Sequence, residues 1–175
     1  MAANGSIHLV TGGSRSGKST FAEQLAIQSP RPVVYLATCR TSDLDAEMQD
    51  RIRRHRAQRP AAWETLEDLF DLVAVAEAHA GKTLLLDCLT LWLADAMGRL
   101  ADAEAILSEL DAGLQAMLDH GIHAIIVSNE IGMGLVPLGK ENRAYRDLVG
   151  WANQRVARHA THVQFIVAGL PLNLK

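Results

Sequence analysis

Cysteine occurs only twice in this chain of 175 residues, at Cys39 and Cys88. Two thiols this far apart build no disulfide framework, and they read as reduced core residues lying within apolar strands of a cytosolic protein. Positive charge is also scarce: 17 Lys and Arg against 20 Asp and Glu leave a net charge of −3, so no basic face argues for nucleic acid. Long hydrophobic runs are missing, and no segment approaches a membrane span. Met1 to Ser6 has neither a basic stretch nor an apolar stretch of the secretory kind, so a cytoplasmic protein is expected. Internal repeats, low-complexity tracts and long linkers are absent as well, which predicts a single domain over residues 1–175. With 49% hydrophobic and 21% charged residues, the chain has the means to bury a full α/β core.

What is present is concentrated near the start. Gly12-Gly13-Ser14-Arg15-Ser16-Gly17-Lys18-Ser19 fits the pattern G-x-x-x-x-G-K-[ST]. An apolar run, Ile7 to Val10, precedes it and reads as a buried strand; Thr20 to Ala26 follows and reads as a helix. In that context the glycines let the backbone curl so that successive N–H groups face a phosphate, and the helix N-terminus adds its partial positive charge. Lys18 then reaches the β- and γ-phosphates, and Ser19 ligates Mg²⁺. The expectation is a nucleoside triphosphate site.

Apolar, β-branched segments alternate with helical patterns along the rest of the chain, which predicts βα units and a mostly parallel sheet flanked by helices. Strands are expected at 7–10, 33–37, 83–87, 123–128 and 162–167, with a short edge piece after the last. Helices are expected at 18–28, 43–57, 66–79, 89–98, 102–119 and 140–159. Pro30, Pro32 and Pro60 punctuate helix ends.

Three further features bear on chemistry. Leu84-Leu85-Leu86-Asp87 ends a predicted strand in a carboxylate, as a Walker B element does, and Asp87 is the best candidate Mg²⁺ residue in the chain; the competing reading is a cap for the next helix. In the second, Leu44, Met48 and Ile52 form the apolar stripe of a helix that His55 continues, among Arg51, Arg54, Arg56 and Arg59. Guanidinium groups suit triphosphate oxygens and lower the pKa of a nearby imidazole, leaving it neutral and nucleophilic. The alternative is a histidine at a helix C-terminus with solvated arginines. Lastly, Ser128-Asn129-Glu130 and the loop through Gly132, Gly134 and Pro137 follow a predicted strand at the carboxyl edge, where open α/β sheets bind ligands. A purely structural loop is the competing reading there.

Taken together, these segments resemble the bifunctional adenosylcobinamide kinase/adenosylcobinamide-phosphate guanylyltransferases. The resemblance rests on Gly12 to Ser19, Tyr35-Leu36-Ala37-Thr38, Glu47 to Trp63, Leu86 to Thr90, Ser128 to Pro137 and Gly169 to Lys175, in the family's order. It implies a P-loop NTPase fold of the RecA-like kind and a two-step enzyme. ATP or GTP would phosphorylate adenosylcobinamide; a histidine would then take GMP from GTP and pass it to adenosylcobinamide phosphate. By position His55 is that nucleophile, since position 54 is Arg where some members have a second His. The resemblance also implies a GTP site lined by Ala37, Thr38, Cys39, Arg56, Ala57, Gln58, Arg59, Glu67 and Asp87, and a homotrimer; the net charge already argues against a nucleic-acid partner. A plain small-molecule kinase would leave the His55 segment without a task, and a RecA-like ATPase module would be expected to show a basic face.

Overall fold

Near-continuous apolar runs can be strands only if both faces of their sheet are covered, and the chain arranges its helices accordingly. The computed structural model describes residues 5–38, 56, 59–67, 71–100 and 102–175. Its strands are β1 (Ser6–Gly12), β2 (Val33–Ala37), β3 (Glu64–Glu67), β4 (Thr83–Asp87), β5 (His123–Asn129), β6 (His162–Val167) and β7 (Leu170–Asn173). They form one sheet in the order β3-β2-β4-β5-β1-β6-β7. Every adjacent pair is parallel except β6 and β7. The helices are α1 (Lys18–Ile27), α2 (Leu72–Ala78), α3 (Leu89–Arg99), α4 (Ala103–Asp119) and α5 (Lys140–His159).

Strand side chains alternate between faces and so build two cores. Ile7, Leu9, Leu84, Leu86, Ala124 and Ile126 join apolar residues of α2, α3, α4 and α5, with Trp92 fully buried among them. Val10, Leu85, Ile125 and Val127 face the other way, onto Ala22 and Ala26 of α1. The parallel register brings the carboxyl ends of the strands level: Ala37 pairs with both Glu67 and Asp87, Asp87 with Val127, and Gly12 with Asn129. One sheet edge therefore carries the loop after β1 and the tips of β2 to β5.

The expected strands and the edge piece are all present, with one addition and two corrections. Residues 66–79 do not form a single helix. Leu66 and Glu67 belong to β3, in register with Leu36 and Ala37. Helix α2 starts only at Leu72, where the Asp71 carboxylate accepts from the N–H groups of Val73 and Ala74 at 3.0 Å each. That cap supplies the start signal the periodicity misplaced. Cys88 is not within a strand either: it stands just beyond β4, half-buried, as the N-cap residue of α3. The expected helix at 43–57 falls outside the described residues except for Arg56.

Candidate active site

The loop between β1 and α1 owes its shape to two glycines. Gly12 has φ +152°, and a Cβ there would lie 2.4 Å from the carbonyl oxygen of Ile166. Gly17 has φ +97°, and its Cβ would press to 3.2 Å from the Cα of Gly169. Only residues without a side chain fit this strand end and this helix start. Arg15, exposed at the loop tip, takes φ +57°, so the backbone reverses hand within the loop. Helix α1 begins at Gly17 with no side-chain cap, which leaves its first N–H groups for an anion. Lys18 is buried and donates from Nζ to the Gly13 carbonyl at 2.6 Å, so its ammonium already lies inside the loop. Two bonds hold the loop from outside: Glu130 N–H donates to Gly12 O at 3.0 Å, and Gly169 N–H to Ser16 O at 2.9 Å.

Beside the loop stands the carboxylate of Asp87. Its Oδ1 accepts from Ser19 Oγ at 3.4 Å and its Oδ2 from the Tyr35 hydroxyl at 2.8 Å. It does not cap α3, whose N-cap is Cys88 with no side-chain bond. The structure thus removes the capping alternative and sets Asp87 against Ser19. Tyr35 is buried, and that burial, with the Asp87 charge next, pushes its phenol far above the ordinary value, so it remains a donor. The Arg59 guanidinium lies 3.5 Å from the centroid of the Tyr35 ring, and Trp63 stacks against that ring at 6.5 Å between centroids. Glu23, on the second turn of α1, has its pKa raised by burial first and by Asp87 second, with Arg59 opposing.

The strand tips on either side are braced. Thr38 is buried, and its hydroxyl donates to the Cys88 carbonyl and accepts the Cys88 N–H, both at 2.8 Å, so that side chain ties β2 to β4. Burial, then the Asp87 charge, pushes the Cys88 thiol up, which disfavours its thiolate form. Asn129 donates from Nδ2 to Thr90 Oγ1 at 3.0 Å, and its carbonyl accepts from Asn153 at 3.2 Å. Tyr145, its phenol pushed up to about 12 mainly by burial, donates to Thr90 O at 2.7 Å. Farther along the edge, Arg56 pairs with Glu67 at 2.9 Å.

The structure therefore brings Gly12 to Ser19, Ala37, Thr38, Arg59, Glu67 and Asp87 to one sheet edge. Cys39, His55, Ala57 and Gln58 lie outside the described residues. Sequence reasoning passed over Glu23, although its spacing of four from Ser19 puts both on one helix face. It also gave no task to Thr90, which the register makes a meeting point for Asn129 and Tyr145. Among the described residues no group of three or more His, Cys, Asp and Glu could hold a metal by itself. The oxygens of Ser19 and Asp87 instead suit a hard cation completed by water and phosphate, as Mg²⁺ is usually held.

A glycine-built phosphate loop, a buried lysine inside it and a carboxylate facing its serine across a parallel sheet define a P-loop nucleotide-binding protein. Solved structures agree on the fold. A KaiC-like protein from the archaeon Pyrococcus horikoshii OT3 aligns with TM-score 0.50 at 20% identity, over 93% of this chain and 71% of that one. The P4 protein of bacteriophage phi6, solved with ADP, aligns with TM-score 0.50 at 12% identity, over 95% and 52%. Within that class the chain belongs to the cobinamide kinase/cobinamide phosphate guanyltransferase (CobU) family, which matches residues 8–174. It is 46% identical to the bifunctional adenosylcobalamin biosynthesis protein CobP of Pseudomonas aeruginosa, over 95% of this chain and 96% of that one. Identity to the bifunctional adenosylcobalamin biosynthesis protein CobU of Salmonella typhimurium is 36%, over 95% and 98%.

Proposed function

We propose that this chain carries out both transfers of its family at the edge just described. In the first, the γ-phosphoryl group of ATP or GTP passes to the hydroxyl of adenosylcobinamide: the hydroxyl oxygen bonds to γ-phosphorus and the bond to the bridging oxygen breaks. In the second, an imidazole nitrogen of His55 attacks the α-phosphorus of GTP and expels pyrophosphate. The phosphate of adenosylcobinamide phosphate then displaces the histidine, giving adenosylcobinamide-GDP. The observation that carries the reading is the convergence of Lys18, Ser19 and Asp87 on one strand edge, with Arg59 held over Tyr35 beside them.

The loop amides and Lys18 would cradle the phosphates and stabilise charge on the leaving group. Arg59, fixed by the Tyr35 ring, would offer a planar, bidentate guanidinium to phosphate oxygens. Thr38 is committed to Cys88, so any contact it makes with nucleotide would come through its backbone. Ser19 and Asp87 would hold Mg²⁺, which when bound neutralises phosphate charge. No described helix is long and apolar enough to cross a membrane, which is compatible with the cytoplasmic location we propose. A homotrimer completes the proposal.

The test is covalent labelling. GTP labelled at the α-phosphate should leave its label on the denatured protein, and γ-labelled GTP should not, because pyrophosphate departs. The bond should be acid-labile and alkali-stable, as a phosphoramidate is. His55→Ala should abolish label and GDP product while sparing most of the kinase step. Label that survives His55→Ala would assign the nucleophile elsewhere; a folded, GTP-binding wild type that takes no label would leave a plain kinase.

A further inference from the structure

Glu23 has no place in the chemistry above, yet the fold puts it where a carboxylate is costly. It lies one helical turn beyond Ser19 on α1 and so shares a helix face with it. Its electrostatic neighbours are Asp87, Arg59 and Tyr35. Its Oε1 is shut off from solvent and has no hydrogen-bond partner among the described residues. Asp87 has both oxygens engaged, by Ser19 and Tyr35, and is no donor to it. The guanidinium that could pair with Glu23 is instead laid over the Tyr35 ring, and the Nε of Arg59 is itself buried without a hydrogen-bond partner among the described residues. A buried carboxylate oxygen with nothing donating to it, facing a second carboxylate, is destabilising in the free protein. Such an arrangement persists at a site whose missing component is positive or donates protons.

We infer that Glu23 is a metal-positioning residue of the nucleotide site: its Oε1 accepts from water of the Mg²⁺ shell that Ser19 and Asp87 hold. The inference rests on the nucleotide-transfer reading above and adds to it a third oxygen, drawn from α1. Magnesium keeps several of its waters when protein-bound, and each needs an acceptor. Asp87, the nucleotide phosphates and Glu23 would be the acceptors for that water. Carboxylates that orient such water act on metal affinity more than on nucleotide contact.

The experiment measures binding, apart from turnover. Affinity for α,β-methylene GTP, which cannot transfer GMP, is titrated by calorimetry at fixed Mg²⁺ levels and in EDTA, for wild type and Glu23→Gln. The expected result is a Mg²⁺ midpoint raised at least about tenfold in Glu23→Gln, with affinity in EDTA within about twofold of wild type. The melting temperature of the nucleotide-free variant should equal or exceed that of wild type, because the amide ends the repulsion from Asp87 and can donate to it. An unchanged Mg²⁺ midpoint overturns the inference and leaves the two-transfer reading intact. A lower melting temperature without nucleotide, or loss of folding, overturns it too, by making Glu23 a structural partner of Arg59. A wild type whose affinity ignores Mg²⁺ overturns the metal-assisted reading itself.

Discussion

Asp87 divides its two oxygens between different tasks, and substitutions can separate them. Asp87→Asn keeps the size of the group and removes the charge opposite Ser19. Both transfers should then fall at least about tenfold, or about 1.4 kcal/mol of transition-state stabilisation. Tyr35→Phe leaves the ring under Arg59 and takes away only the donor to Oδ2. Its larger effect should be on stability, about 1 kcal/mol for one lost hydrogen bond, with a smaller loss in kcat. Denaturant midpoints and turnover per folded molecule, measured on both variants, check this. Asp87→Asn that melts early but turns over normally would make the carboxylate structural. At this scale the phosphate loop was legible because its spacing is itself the mechanism. Glu23 was not, since a glutamate on the second turn of a helix is ordinary until the strands behind it are in place.

At the scale of elements, the sheet has a second, quite different end. Three strands that neighbour one another bring His8, His123 and His162 to its amino edge. The rings of His8 and His162 lie 5.3 Å apart, His8 meets Gln164 at 2.7 Å, and His123 meets Ser6 at 2.6 Å. Burial, then His162 and His123, holds the His8 pKa down despite the Gln164 bond; burial, then Arg31 and His162, does so for His123. Between those depressed values and the ordinary imidazole value of about 6.5, the unfolded chain binds more protons than the folded one. Stability is therefore full above that value and is lost as pH falls through the folded-state pKa values. Melting temperatures should drop from pH 7.5 to pH 5, and His8→Gln should flatten that dependence; an unaltered slope would remove the histidines from the account. The elements themselves were readable where apolar runs are long, as in β1, β4 and β5. Strand β3 was not: Glu64-Thr65-Leu66-Glu67 is short, mostly polar and at the sheet edge, so its pattern resembles the first turn of a helix.

For the molecule as a whole, the loop after β5 is the surface that a lone chain explains least. Met133, Leu135 and Leu138 are 80%, 96% and 94% exposed, and Val136 is 65% exposed. Apolar side chains gathered this closely on a surface usually meet another surface, which supports the proposed homotrimer. Light scattering at micromolar concentration should give the mass of three chains; a fully active protein with the mass of one would overturn the assembly. A last consequence follows from where β1 lies. Its two partner strands are β5 and β6, and the atoms that brace its loop belong to Glu130, Ile166 and Gly169. In chain order residues 12–19 come well before Glu130, Ile166 and Gly169, which support them. The nucleotide therefore cannot act as a template for folding β1 alone, since its receptor takes shape only when β6 and the turn after it have been made, and only then can ligand stabilise the chain.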